Sequence, residues 1–244
     1  MKATQFEFRF RIGFAVLFFV LGFWAPWTRY GAASAPDTTT WLALSTLLPR
    51  LGWLSLNQAT LLVTWLAILL AFAGAAVRLW GTSYLGTSIV HSTAMQAGPV
   101  MASGPYRFVR NPLYLGTFLF ALSVSILMPP SGAAFFLVAI AVFYFRLILG
   151  EEAYLSARLG APYDAYRHLV PRLLPALRSR VAASGAHPHW GQSLVAEFLP
   201  WAFALCLAVL AWRYQPQLLI RCLIVCFGLS LVARALLPRQ PAAE

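Results

Sequence analysis

Charged side chains are scarce in this chain. Asp, Glu, Lys and Arg together make up 10% of 244 residues, whereas 60% are hydrophobic. About a quarter of a soluble domain is charged, so this composition excludes a soluble globular protein and points to a polytopic membrane protein. Lysine is nearly missing: Lys2 stands alone among eighteen basic residues, which outnumber seven acidic ones and leave a net charge of +11. An excess of this kind marks nucleic-acid binding when it clusters on a soluble face. Here the arginines stand at the ends of apolar runs, where long side chains reach the interface and set topology, and a nucleic-acid partner is excluded. Cysteine is equally sparse. Cys206, Cys222 and Cys226 all lie inside apolar runs, and no second ligand pair flanks them, which argues against a metal site. No small-residue cleavage site follows the first apolar run; "FWAPWTRY" does, which reads as a retained helix rather than a cleaved signal. Internal repeats and low-complexity linkers are also missing.

Long apolar runs are what the chain does have. About 20 helical residues cross a bilayer core, and the expected fold is an all-α, polytopic transmembrane helical bundle with about six spans. The expected spans are 10–27, 57–80, a segment starting at Pro112, its return through "AAFFLVAIAVFYFRLIL", 194–212 and 217–237. Between the first two, "WLALSTLLPRLGWLSL" reads as a surface or re-entrant piece, and 81–111 as a long polar connection. The "PPSG" turn is short enough to force an antiparallel hairpin, which brings Arg110–Tyr114 to the same membrane face as Arg146–Glu152. With the N-terminus in the cytoplasm, fourteen of the eighteen basic residues fall on the inside, a clear positive-inside bias. The expected location is therefore an inner or cytoplasmic membrane, with the N-terminus and the polar motifs cytoplasmic. The chain divides into N-terminal spans (1–75), a core (76–180) and a two-helix C-terminal extension (181–244).

Two polar blocks stand out against this background. In "GPYRFVRNPLYLG", Gly104–Pro105 marks a turn. Tyr106, Arg107, Arg110, Asn111 and Tyr114 then present cations, an amide and aromatic faces near one another. Asn111 precedes Pro112, so it is expected outside helical geometry and is read as an N-cap accepting from backbone N–H groups. The second block is Glu151–Glu152, at the expected cytoplasmic end of a span. Carboxylates there are costly, and the helix C-terminal dipole disfavours them. A positive partner is expected among Arg107, Arg110, Arg146 or a cationic ligand. Glu197 is read as a snorkelling residue, His91 as a solvated loop residue, and His187 and His189 as too weakly spaced for metal.

The two blocks in order, GPYR-x-VR-x-P-x-YLG and EE-x-x-L followed by G-x-x-Y-x-x-Y-x-x-x-VP-x-x-x-P, resemble the superfamily of isoprenylcysteine carboxyl methyltransferases and phospholipid methyltransferases. The residues that carry the likeness are Gly104, Pro105, Tyr106, Arg107, Val109, Arg110, Pro112, Tyr114 and Gly116, then Glu151, Glu152, Leu155, Gly160, Tyr163, Tyr166, Val170, Pro171 and Pro175, across roughly 76–176. The resemblance implies an integral membrane enzyme that uses S-adenosylmethionine to methylate a lipophilic acceptor at the membrane–cytosol boundary. It implies catalytic roles for Arg110 and Glu152. It also implies a cofactor site around the hairpin built from Gly104, Tyr106, Arg107, Arg110, Asn111, Pro112, Tyr114, Glu151 and Glu152. The family's usual histidine between Arg and Pro is here Asn111, which can hydrogen-bond but cannot titrate near neutral pH. The chemistry of the cofactor agrees with these residue types: carboxylates suit its ammonium, arginine its carboxylate and tyrosine faces its sulfonium. The acceptor is left among a prenylcysteine carboxylate, a phospholipid amine, a quinone-like or terpenoid group and a small thiol. A carboxylate is favoured, because an ammonium would first need a base. Competing readings are an NADPH-dependent sterol-type reductase, which shares the Glu, Tyr and Val-Pro pattern, and a non-catalytic membrane protein.

Overall fold

A computed structural model describes residues 2–27, 38–86, 102–213 and 216–236. His91 and about half of the connection between the second and third expected spans, residues 87–101, lie outside these residues. Among the described residues the fold is all-helical: α1 (Gln5–Arg9), α2 (Arg11–Trp24), α3 (Thr40–Arg50), α4 (Leu56–Leu85), a 3₁₀ turn (Gly104–Arg107), α5 (Pro112–Ser125), α6 (Pro130–Leu159), α7 (Ala161–Leu169), α8 (Trp190–Ala196), α9 (Phe198–Arg213) and α10 (Pro216–Leu236).

Two of these, α4 and α6, are long and apolar enough to cross a membrane, and α8 with α9 make a third if the bent pair is one span. The remaining apolar elements depart from the expected lengths. Helices α2 and α5 are each 14 residues, shorter than a simple span. Helix α4 is longer than the pattern implied, because "GTSYL" continues the helix to Leu85 although its residues are polar or small. The fifth apolar run is broken: α8 and α9 meet at Glu197 at 63°.

Small residues set the helix spacing. A Cβ on Gly74 of α4 would stand 2.7 Å from the Gly116 carbonyl of α5, and a Cβ on Gly116 would stand 2.7 Å from the Gly74 carbonyl. The two helices therefore touch backbone to backbone, which is how small residues let membrane helices approach. The backbones of Gly22 (α2) and Gly132 (α6) meet in the same way. Around these crossings Ala67, Ala71, Ala121, Val124, Met128, Phe136, Ile140 and Phe203 form the main core. The hairpin of α5 and α6 is present, but the connection is residues 126–129, and Pro130–Gly132 of "PPSG" already belong to the first turn of α6. It places the start of α5 beside the last turns of α6, where both polar blocks lie.

Candidate functional site

The first block is shaped by its turn. Gly104 has φ +54 and its Cα faces the Tyr84 ring, so a side chain would be strained and would collide with the ring. The 3₁₀ turn buries Pro105 and Tyr106, and Pro112 then opens α5 at its first turn. On the other side, α6 runs on past the membrane-length stretch to Leu159. Glu151 and Glu152 thus lie within the helix, two turns before its end, and not at the dipole terminus expected from the sequence. Gly160 (φ 64) stops the helix and starts α7, whose Tyr163 and Tyr166 are buried.

A third stretch of chain, not singled out as a structural partner by sequence, completes the site. Residues 170–184, which are irregular, run antiparallel to 102–110 and are tied to them by backbone hydrogen bonds. The Arg110 N–H donates to the Pro171 carbonyl (2.9 Å), the Ala176 N–H to Phe108 (2.9 Å) and the Ser184 N–H to Ala102 (3.1 Å). The Tyr166 hydroxyl donates to the Tyr106 carbonyl at 2.8 Å, and Arg107 Nε donates to the Val181 carbonyl at 3.1 Å. Arg107 is thereby used to hold the backbone of this segment.

The centre of the arrangement is Glu152, which is only 4% exposed. Arg172 grips it with Nε (3.1 Å to each oxygen) and Nη2 (2.8 Å to Oε2). Arg110 Nη1 lies 3.3 Å from Oε1, and Asn111 Nδ2 donates to the same oxygen at 3.3 Å. The expected positive partner is thus Arg110, joined by Arg172. Arg146, on α6 with the two glutamates, pairs instead with Glu7 of α1, at 2.9 Å. Asn111 does not cap α5: its side chain makes no cap hydrogen bond, and its amide donates to Glu152 and to the Arg172 carbonyl (3.1 Å). The reason is orientation: donation of Nδ2 to the buried carboxylate, a charge-assisted bond, holds the side chain on Glu152 and Arg172 and away from the first N–H groups of α5.

Glu151, by contrast, is partly exposed and accepts from the Tyr114 hydroxyl at 2.7 Å. The Tyr114 ring packs on Tyr144, with centroids 5.5 Å apart. Two buried donors at the same end of the hairpin have no partner among the described residues: the Tyr106 hydroxyl and Arg110 Nε. Burial drives the Tyr106 and Tyr166 phenols well above their ordinary range, and that of Tyr163 to about 12, so all three remain neutral hydrogen-bonding groups. The hydrogen bonds from Arg172 to Glu152 hold that guanidinium still more firmly protonated.

A second buried ion pair lies on the far side of α5. Arg78 of α4 donates through Nε (2.7 Å) and Nη2 (2.9 Å) to both oxygens of Glu197, and through Nη1 to Thr117 Oγ1 (2.8 Å). The Thr82 hydroxyl adds a donor to Glu197 at 2.8 Å. Glu197 is 1% exposed, so the snorkelling expected of it is corrected. The bend between α8 and α9 turns its carboxylate inward to a guanidinium that the amino-acid order leaves 119 residues away. Nothing in the local pattern reveals that partner. The only signal is an arginine inside a long apolar helix, which must be compensated somewhere.

All nine residues named for the cofactor site therefore occupy one end of the hairpin, and Glu152, Arg110, Asn111 and Arg172 form a single hydrogen-bonded cluster. Arg172 was missed because its segment has neither helical nor strand periodicity.

Comparison with known proteins converges on the same stretch. The family model for the isoprenylcysteine carboxyl methyltransferase (ICMT) family matches residues 65–157, which contain α5, the turn and both glutamates. The likeness read from the two motif blocks is thus borne out independently. The chain is 32% identical over 94 residues to a protein-S-isoprenylcysteine O-methyltransferase of Schizosaccharomyces pombe, covering 37% of this chain and 40% of that one. It is 31% identical over 145 residues to the protein of the same name from Saccharomyces cerevisiae, covering 58% of this chain and 61% of that one. The matched part of this chain thus spans between two-fifths and three-fifths of these relatives' lengths. No solved structure matches the chain.

Proposed function

We propose that this chain, similar across its central hairpin to the isoprenylcysteine carboxyl methyltransferase family, is a membrane-embedded O-methyltransferase. It uses S-adenosylmethionine and acts on a lipophilic carboxylate of the isoprenylcysteine type at the membrane–cytosol boundary. In this reading the chain has about six membrane-associated helical segments, with the N-terminus and the hairpin end on the cytoplasmic side. The observation that supports it most is the pair of buried donors with no partner among the described residues, Tyr106 Oη and Arg110 Nε, at the end of the hairpin that also carries the partly exposed Glu151. Buried polar groups are normally satisfied, and this set fits a cationic cofactor at Glu151 together with an acceptor carboxylate at Arg110 Nε.

S-adenosylmethionine, when bound, supplies an electrophilic methyl group on a sulfonium. Glu151 and the Tyr114 hydroxyl would hold its cationic end and Tyr106 would donate to it, while Arg107 keeps the covering segment in place through Val181. Arg110 is the catalytic residue: its free Nε–H orients the acceptor carboxylate. Glu152 positions Arg110 and acts through it. A carboxylate acceptor is already anionic, so no residue need remove a proton, and the non-titrating Asn111 is compatible with the reaction. What the protein contributes is alignment in a site shielded from water, a large share of the rate in a displacement reaction.

The test is methyl transfer in proteoliposomes from radiolabelled S-adenosylmethionine to N-acetyl-farnesylcysteine, with phosphatidylethanolamine as the competing acceptor. The reading predicts lipid-extractable label that mild base releases as methanol, lost in Arg110→Ala. Base-stable label on the amine, or no transfer by folded protein, would overturn it.

A further inference from the structure

The segment that closes the site carries a surface the proposed reaction does not use. Leu174 is 81% exposed and Leu177 99%, the two most exposed large hydrophobic residues among the described ones. They do not sit on a loose tail. The Ala176 N–H between them is bound to the Phe108 carbonyl, Pro171 accepts from Arg110, and Pro171 and Pro175 stiffen the backbone. The leucines therefore project from a pinned backbone segment. Exposed Arg178 and Arg180 follow them, and no Asp or Glu occurs between residues 165 and 196.

The position of this segment along the bundle is fixed by Arg172. Its guanidinium reaches Glu152 on one side and lies 5.6 Å from the centroid of the Phe145 ring on the other. Phe145 ends an exposed apolar stripe with Val138 and Val142 on the outer face of α6, one of the membrane-length helices. The segment is thus strapped to the edge of the face that α6 turns to lipid. At that depth a bilayer offers apolar chains just below and headgroups just above.

We infer that residues 169–181 form an interfacial anchor: Leu174 and Leu177 enter the outermost acyl region, and Arg178 and Arg180 bind the headgroups of anionic phospholipids in the same leaflet. Paired leucines beside arginines on an acid-free stretch match the two ingredients of such binding, buried apolar area and attraction to anionic lipid. The inference rests on the membrane reading of the chain but not on methyl transfer. It ties the segment that covers the site to the lipid surface from which an acceptor would arrive.

The experiment uses the full chain in nanodiscs, with Cys206, Cys222 and Cys226 replaced by alanine and a bimane label on Leu177→Cys, with Leu174→Cys as an independent second position. Discs of phosphatidylcholine contain a minority of phosphatidylglycerol, and a brominated quencher is placed on the chains of one lipid or the other. The expected result is quenching by brominated lipid, stronger when phosphatidylglycerol carries the bromine, with little quenching by aqueous iodide. Arg178→Gln with Arg180→Gln should abolish the preference for phosphatidylglycerol while quenching from phosphatidylcholine persists. Full iodide quenching with no lipid quenching at both positions, as expected if the leucines await a polypeptide partner, would overturn the inference. Equal quenching from both lipids in the unsubstituted background would overturn its anionic part.

Discussion

Two adjacent glutamates on one helix have opposite circumstances. Glu152 is buried and accepts from Arg110, Asn111 and Arg172, while Glu151 is partly exposed and meets Tyr114. Removing one member of a buried ion cluster leaves the others desolvated and unpaired, at about 3–5 kcal/mol. Glu152→Ala should therefore lower the unfolding free energy by an amount of that order, read as a large drop in thermal midpoint in detergent. Glu151→Ala removes only the acceptor of the Tyr114 hydroxyl and should cost less, about 1–3 kcal/mol. This split was only half legible in the sequence. The hairpin made contact between Arg110 and the glutamate pair foreseeable, because a four-residue "PPSG" turn admits little else. It could not say which glutamate would be enclosed. That depends on Arg172, whose segment is held by backbone hydrogen bonds to 102–110 and leaves no periodic trace in its side chains.

At the scale of elements, glycines and a surface ion pair control docking. Gly74 and Gly116 place the backbones of α4 and α5 in contact, so Gly116→Leu must force the helices apart. Overpacking costs about 1–3 kcal/mol and sometimes more; the expected outcome is a lower thermal midpoint together with loss of the Arg78–Thr117 contact, which spans the same crossing. The N-terminal helix docks differently. Thr4 and Glu7 form a reciprocal capping box, and Arg146 of α6 binds the Glu7 carboxylate. The Thr4 backbone N–H, and then Arg146, hold Glu7 below the usual carboxylate range. A lowered folded-state value means that this contribution is present above the unfolded carboxylate pKa and is lost as pH falls through the folded value. The midpoint difference between wild type and Glu7→Gln should therefore be small and constant near neutral pH and should close below about pH 4. A difference that widens on acidification would contradict this account of the contact. Helix positions were legible from apolar runs, but lengths were not: α4 continues through polar "GTSYL", and the fifth run bends at Glu197, because tertiary partners rather than hydropathy decide both.

For the whole molecule, the Arg78–Glu197 pair joins the C-terminal helices to the hairpin core. Glu197→Leu alone should cost about 3–5 kcal/mol, whereas Arg78→Met combined with Glu197→Leu should recover much of the loss, since replacing both partners with apolar groups is often near neutral. Thermal unfolding of the two singles and the double separates pairing from packing. The division of the sequence at residue 181 missed this bond, because nothing local links an arginine at 78 to a glutamate at 197. The claim on which the rest depends is that the hairpin end binds S-adenosylmethionine, and calorimetry on purified protein tests it most directly. Wild type should bind stoichiometrically, and Glu151→Gln and Tyr106→Phe should each weaken binding at least about tenfold without lowering the thermal midpoint, the loss expected for a buried hydrogen bond to a charged group. Absence of binding by folded wild-type protein, or binding untouched by both substitutions, would contradict the account.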